Sequence, residues 1–254
     1  MLPHQDASSI GAQLHLTIYA IDHKHNNNIN KTDTSNDILD LVLAMEQSEA
    51  CRTISPVIKT GYSPKGRYKK FDDINVYVTG NESSSKGIVD VYDAFGLQAQ
   101  TLQGADRLAS SLTALVIIPD LCKGVVADPA WFPPDTDEKK DAAQKFRARL
   151  GNPLNTLSAL FRILVEAKQR WPSVQGWGIF GLCWGGKIAA LASGPETPFK
   201  VSGQAHPGLL AAEDAEKMTI PHICLASHDE PANVIHKLVC DWRPNGCNPC
   251  CSRK

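Results

Sequence analysis

A cysteine stands between glycines in the stretch GIFGLCWGGK, which runs from Gly178 to Lys187. The residues before it, Gly176 to Leu182, are apolar and compact enough for a buried parallel strand, and the run from Trp184 to Ser193 has the composition of a packed helix. Cys183 therefore lies at a strand-to-helix turn with the Gly-x-Ser-x-Gly layout of a nucleophile elbow. Because a helix N-terminus favours a thiolate, this position predicts a nucleophile. The alternative is an inert, buried cysteine.

A carboxylate that could orient a base follows a later strand. The stretch ICLASHDEP ends a predicted strand at Ser227 and puts Asp229 in the next loop. This position fits the chain order nucleophile, acid, histidine that accompanies such elbows. The alternative is that Asp229 or Glu230 caps a helix that begins at Pro231.

A second carboxylate, Asp93, ends an early strand in the stretch GIVDVYDAFGL. The loop after that strand is where folds with this elbow supply one N–H of an oxyanion hole, and the residue after the nucleophile supplies the other. The two predicted donors are the backbone amides of Ala94 and Trp184.

Strand and helix signals alternate from Gly61 onward. Strands are predicted at Ile74 to Val78, Gly87 to Tyr92, Ala114 to Pro119, Gly176 to Leu182, Val201 to Ala205 and His222 to Ser227. Helices are predicted at Gln98 to Leu112, Asp137 to Leu150, Pro153 to Arg170, Trp184 to Ser193 and Pro231 to Trp242. The third of these has a predicted apolar face of Leu154, Leu157, Phe161, Leu164 and Val165. The pattern predicts an α/β fold, a mostly parallel sheet with helices on both faces and ligands at the carboxyl ends of its strands.

The chain divides into three parts. Residues 1–50 are predicted to be a disordered or atypical N-terminal extension, because HKHNNNINKTDTSND is polar, Asn-rich and without periodicity. Residues 51–239 carry the α/β domain, and residues 240–254 form a Cys-rich tail. The Cys-x-x-Cys spacing in this tail is half of a zinc pattern, so Cys240, Cys247, Cys250 and Cys251 could form a zinc site. The other half is missing or oddly spaced, and we expect no metal.

Composition narrows the classes of partner. The 26 basic and 27 acidic residues give a formal net charge of -1. The composition therefore shows no excess of basic residues that would indicate binding to nucleic acid or to an anionic membrane. No segment has the length of a transmembrane helix, and the run LHLTIYAI lacks the flanks of a signal peptide. We expect a cytoplasmic monomer that binds a small molecule. Cys51, Cys122 and Cys224 have the surroundings of ordinary small apolar residues.

Several blocks of sequence resemble the fungal branch of the dienelactone hydrolase family. They are VYDAFGLQAQTLQGADRLA, PDLCKGVVADPAWFPPDT, WGIFGLCWGGKIAAL, QAHPGLL and LASHDEPA, and the match runs from about Cys51 to Ile235. The resemblance implies an α/β-hydrolase fold and a cysteine-dependent hydrolase of small lactones and carboxylic esters, without metal or organic cofactor. By motif, Cys183 resembles the nucleophile and Asp229 the triad acid. Asp93 matches an accessory acid near the resting cysteine, where the best-known members carry glutamate.

The C-terminus departs from the family pattern. Members carry a HGW or HGF segment that supplies the triad histidine, whereas this chain reads HKLVCDWRPNGCNPCCSRK from His236. We therefore expect a truncated or altered domain that lacks the last strand and helix and leaves an open sheet edge. His236 is too near Asp229 in the chain to act as the base, and the side chain of His228 should diverge from it. His206 ends a strand beside the elbow and is expected to line the pocket.

Two functional hypotheses follow from this comparison. The first is a hydrolase of carboxylic ester or lactone bonds that uses the Cys183 thiol. The second is a catalytically impaired or inactive remnant of the same fold that acts as a binding protein. The presence of a histidine-bearing segment would favour the first hypothesis, and its absence favours the second.

Overall fold

The computed structural model describes residues 17–21, 58–132, 134–150, 153–209, 211–227, 230 and 234–235. The described strands are β1 (Thr17–Ile21), β2 (Arg67–Phe71), β3 (Ile74–Gly80), β4 (Lys86–Val91), β5 (Leu115–Pro119), β6 (Gly176–Leu182), β7 (Val201–Ala205) and β8 (His222–Ala226). The described helices are α1 (Ala99–Leu112), α2 (Asp137–Leu150), α3 (Pro153–Arg170), α4 (Trp184–Leu191) and α5 (Ala212–Lys217), with a short 3-10 turn at Pro129–Trp131.

The strands form one sheet in the order β1-β8-β7-β6-β4-β5-β3-β2. The five central strands, from β8 to β5, are parallel, whereas β1, β3 and β2 pair antiparallel. Helix α1 packs against β3 and β5 on one face of the sheet, and α4 packs against β6 and β7 on the other. The predicted α/β-hydrolase fold, with a mostly parallel sheet and helices on both faces, is thus confirmed. In the described ranges, no helix has the length and apolar composition needed to cross a bilayer.

The six predicted strands are all present, with ends that differ by at most two residues. The sequence analysis missed β1, β2 and α5. Strand β2 reads RYKKF and lies at the sheet edge. Its charged residues are typical of edge strands and leave no apolar run from which a strand could be predicted. The N-terminal extension, predicted disordered or atypical, contains β1, and because β1 pairs with β8 the predicted open edge beside β8 is wrong. Residues 23–37 and 240–254 lie outside the described residues, so the domain boundaries stay predictions.

The core lies between the central strands and helices α1, α3 and α4. Its fully buried side chains include Tyr77, Val89, Leu115, Ile117, Leu160 and Ile188. Helix α3 buries a stripe made of Leu160, Ile163, Leu164 and Ala167, which follows the i, i+3, i+4, i+7 spacing. The predicted apolar face was therefore partly wrong, since Leu154 and Val165 are 53% and 58% exposed. Two overlapping apolar stripes satisfy the helical period, and packing against the sheet selects one of them.

Candidate active site

Cys183 occupies the turn between β6 and α4. Its backbone has φ 52° and ψ -113°, a left-handed conformation that residues with a side chain rarely adopt. The turn is held by three backbone hydrogen bonds: the Cys183 N–H donates to Ala205 O at 3.1 Å, and its carbonyl accepts from Gly186 N at 2.9 Å and Gly208 N at 3.1 Å. The predicted strand-to-helix turn therefore exists, and it raises the Cys183 side chain at the carboxyl edge of the sheet.

Glycines around Cys183 permit this turn because neighbouring backbones pass very close to it. A Cβ atom added to Gly181 would lie 2.0 Å from Gly185 O, and one added to Gly185 would lie 2.0 Å from Val91 O. A Cβ on Gly208 would approach Cys183 Sγ to 3.0 Å. Such distances exclude a side chain at the first two positions, so the Gly-x-Cys-x-Gly spacing is a steric requirement of the turn.

The thiol borders a small cavity of about 160 Å³. Cys183 is 8% exposed. The other lining residues are Asp93, Ala94, Phe95, Leu182, Ala205 and His206. The structure thus brings together four of the predicted site residues: Cys183, Asp93, Ala94 and His206. A fifth, Trp184, is the first residue of α4, and its buried ring stacks on Tyr92 with 6.2 Å between centroids. The predicted triad acid Asp229 lies outside the described residues.

Two aspartates lie on and just after β4, Asp90 buried and Asp93 half-buried. Burial raises the pKa of Asp93, although the backbone N–H groups of Phe95 and Gly96 and the charge of His206 partly offset that rise. The Phe95 N–H donates to Asp93 Oδ1 at 2.8 Å. Asp90 is 3% exposed, and burial, reinforced by the charge of Asp93, raises its pKa to about 7. Its Oδ1 has no hydrogen-bond partner within the part of the chain that the structure describes.

His206 directly follows β7 and contacts a carboxylate that the sequence analysis had considered only as a helix cap. Its Nδ1 lies 2.9 Å from Glu230 Oε1 and 3.2 Å from Ser227 Oγ. The Ser227 hydroxyl also donates to the Glu230 carboxylate at 2.9 Å. The Glu230 side chain is only 5% exposed, whereas that of His206 is 30% exposed. A partly accessible imidazole is therefore held by a buried carboxylate at the cavity wall.

The other cysteine and histidine side chains that the structure describes lie outside the cavity and belong to the scaffold. Burial raises the pKa of Cys122 to about 11 and that of Cys224 to about 12. His222 on β8 is fully buried, with its Nδ1 2.7 Å from Ser202 Oγ. Among the residues with described positions, no group of three or more His, Cys, Asp or Glu side chains is arranged to hold a metal ion. The four tail cysteines weighed as a zinc site lie outside those residues.

The sequence profile of the dienelactone hydrolase family matches residues 74–237, a range that includes the elbow and every residue lining the cavity. The chain belongs to this family. An uncharacterised AIM2 family protein of Schizosaccharomyces pombe is 31% identical over 180 residues, covering 68% of this chain and 72% of that protein. An endo-1,3;1,4-beta-D-glucanase of Zea mays is 26% identical over 170 residues, covering 65% of this chain and 51% of that protein.

A solved structure from Klebsiella pneumoniae subsp. pneumoniae, provisionally assigned as a dienelactone hydrolase, shares 16% identity with the chain. It aligns with a TM-score of 0.49 over 65% of this chain and 72% of that one. Membership in the dienelactone hydrolase family places the chain among hydrolases, and the Schizosaccharomyces pombe relative fits the resemblance to the fungal branch.

Proposed function

We propose that this member of the dienelactone hydrolase family hydrolyses carboxylic ester or lactone bonds and uses the Cys183 thiol as its nucleophile. The observation that carries the proposal is the conformation of Cys183, whose positive φ holds its side chain beside a cavity at the carboxyl edge of a parallel sheet. Strained backbone of this kind persists only where the surrounding structure imposes it, and it clusters at functional sites.

The residues around the thiol match the needs of acyl transfer. A tetrahedral intermediate places negative charge on the former carbonyl oxygen, and backbone N–H groups stabilise that charge. The amide of Trp184 opens α4 directly after the nucleophile, and Ala94 lines the cavity next to Asp93. We assign these two amides to the oxyanion hole and Asp93 to an accessory acid that exchanges a proton near the resting thiol.

The size of the cavity limits the substrate. At about 160 Å³ it is smaller than the 300–1,000 Å³ that is common for drug-sized ligands, so the group that enters beside Cys183 has few heavy atoms. A short acyl group or a small lactone ring fits this limit.

The proposed enzyme is a cytoplasmic monomer that acts on a small molecule. It uses no metal or organic cofactor and binds neither nucleic acid nor membrane. Asp229 keeps its predicted role as triad acid.

Hydrolysis of p-nitrophenyl acetate tests the proposal. We expect Cys183→Ala to lower the rate by about a thousandfold or more, because removal of a nucleophile leaves only binding and oxyanion stabilisation. Cys122→Ala is the matched control and should keep the wild-type rate, since that thiol does not line the cavity.

Two outcomes contradict the proposal. One is an unchanged rate in Cys183→Ala. The other is a folded wild-type chain that binds small esters and never releases product, which would favour the alternative of a catalytically inactive binding protein.

A further inference from the structure

His206 and Glu230 form a pair whose geometry suits proton transfer at the Cys183 cavity. A carboxylate only accepts hydrogen bonds, so the contact of 2.9 Å between Glu230 Oε1 and His206 Nδ1 places the ring proton on Nδ1. In that tautomer Nε2 carries the lone pair that a general base needs. The triad logic of a nucleophile, an imidazole and an orienting carboxylate needs these features.

The pair is positioned by rigid elements. His206 follows the last residue of β7, and its N–H donates to Leu225 O of β8 at 2.9 Å, which fixes its backbone against the sheet. Its φ of 49° turns the chain sharply at this point. Ser227 holds Glu230 from the end of β8, so the carboxylate is buried and kept in place. The imidazole therefore borders the same cavity as the thiol on a preorganised support.

We propose that His206 is the general base of the Cys183 reaction and that Glu230 is the residue that positions it. This inference rests on the proposed function. His206 Nε2 takes the Cys183 proton as Sγ attacks the ester carbonyl carbon, and it returns that proton to the leaving alkoxide. It then takes a proton from water, hydroxide displaces Sγ from the thioester, and the imidazolium proton returns to the thiolate. The products are one carboxylic acid and one alcohol, so the atoms of ester and water balance.

The first test measures the thiol itself and does not require turnover. The iodoacetamide alkylation rate of Cys183 is followed from pH 5 to 9 in the wild-type chain and in His206→Gln, with mass mapping of the labelled peptide. We expect His206→Gln to slow alkylation at pH 6 by about tenfold, because the imidazolium no longer supports the thiolate. An unchanged profile in a variant with a wild-type circular dichroism spectrum would overturn the proposal.

The second test separates His206 from the other histidines considered. In p-nitrophenyl acetate hydrolysis, His206→Gln should lose at least a hundredfold in kcat, whereas His228→Gln and His236→Gln should keep the wild-type value within twofold. Loss of turnover in His228→Gln or His236→Gln, with activity retained in His206→Gln, would overturn the proposal and leave the role of Cys183 standing.

The third test concerns the positioning carboxylate. The charged groups facing His206 in the described residues are Glu230 and Asp93, with the Cys183 thiol across the cavity. Removing the Glu230 charge disfavours imidazolium, so Glu230→Gln should move the acidic limb of the kcat/KM profile about one pH unit lower and reduce kcat about tenfold, with KM unchanged. Glu213→Gln, at an exposed glutamate of α5, is the matched control and should leave the limb in place. The assignment of Glu230 fails if Glu230→Gln leaves the limb unmoved, or if Asp229→Asn shifts it and Glu230→Gln does not.

Discussion

Two aspartates, Asp106 on α1 and Asp93 just after β4, show how the scaffold and the cavity differ. Asp106 on α1 is 3% exposed and accepts four hydrogen bonds. Its donors are Tyr62 Oη at 2.8 Å, Lys65 N at 2.9 Å, Tyr77 Oη at 2.9 Å and Thr79 Oγ1 at 2.6 Å. Burial alone would raise the pKa of Asp106, but these donors hold it below its ordinary value.

Asp93 shows the opposite balance. Burial raises its pKa, and the backbone N–H groups of Phe95 and Gly96 with the charge of His206 offset only part of that effect. Asp90 shares this condition, since its Oδ1 has no partner in the described structure. The comparison teaches that the supply of donors, more than burial, decides whether the pKa of an aspartate falls below its ordinary value, as in Asp106, or rises above it, as in Asp93.

The largest expected effect is on the scaffold side. Asp106→Ala should lower the free energy of unfolding by about 3–5 kcal/mol, because it leaves buried hydroxyl donors such as that of Thr79 without an acceptor. Urea denaturation measures the loss, and Asp106→Asn, which keeps an acceptor oxygen, should lose less. Folded Asp106→Asn should keep the wild-type rate of Cys183 alkylation. A destabilisation below 1 kcal/mol in Asp106→Ala would contradict the structural role.

The next effect concerns stability against pH at Asp90. The unfolded carboxyl ionises near its ordinary pKa of 3.8, whereas burial raises the folded pKa to about 7. Between these values the unfolded state binds fewer protons, so this carboxyl makes wild-type stability fall as pH rises, by about 4 kcal/mol at most. Asp90→Asn should remove that fall. Urea denaturation at pH 4.5, 5.5, 6.5 and 7.5 tests this.

The matched control for Asp90 is Asp141→Asn on the exposed side of α2, where Asp141 pairs with Lys145. This control should keep the wild-type dependence of stability on pH. Parallel curves for Asp90→Asn and the wild-type chain would mean that the Asp90 carboxyl does not carry its proton in the folded state.

A smaller effect separates the three described thiols. Burial raises the pKa of Cys122 to about 11 and that of Cys224 to about 12, so less than about one part in a thousand of either is thiolate at pH 7. Cys183 lies at the N-terminus of α4 and at the cavity, and we expect iodoacetamide to label it at least thirtyfold faster. Peptide mass mapping gives the three rates. Faster labelling of Cys122 or Cys224 would reverse the comparison between cavity and scaffold.

The smallest effect is expected at Asp93. Asp93→Asn removes a negative charge from the cavity and should speed Cys183 alkylation at pH 8 about threefold to tenfold, because a nearby carboxylate disfavours the thiolate. Its stability should change by less than about 1 kcal/mol, since the Asn oxygen can still accept from Phe95 N. Asp141→Asn again serves as the control. A large loss of stability would place Asp93 with the scaffold aspartates.

Much of this arrangement could be predicted from the sequence. The apolar run of β6, the glycines and the helix-forming run of α4 predicted the turn at Cys183, and parallel strands bring Asp93 and His206 to the same edge. The contact between His206 and Glu230 could not be predicted, because the two residues are 24 positions apart in the chain and meet only through tertiary packing. The pairing of β1 with β8 was missed for a similar reason, since strand partners distant in the chain are chosen by tertiary packing.

The close backbone packing at the elbow also affects how this protein can evolve. Gly181 and Gly185 lie so close to neighbouring backbone that neither position tolerates a side chain. Very few substitutions at these positions are therefore compatible with the turn that holds Cys183. Mutational freedom therefore lies outside the elbow, in the loop that carries Phe95 at the cavity. Laboratory selection for new substrates should accumulate substitutions in that loop, while the elbow stays unchanged through successive rounds.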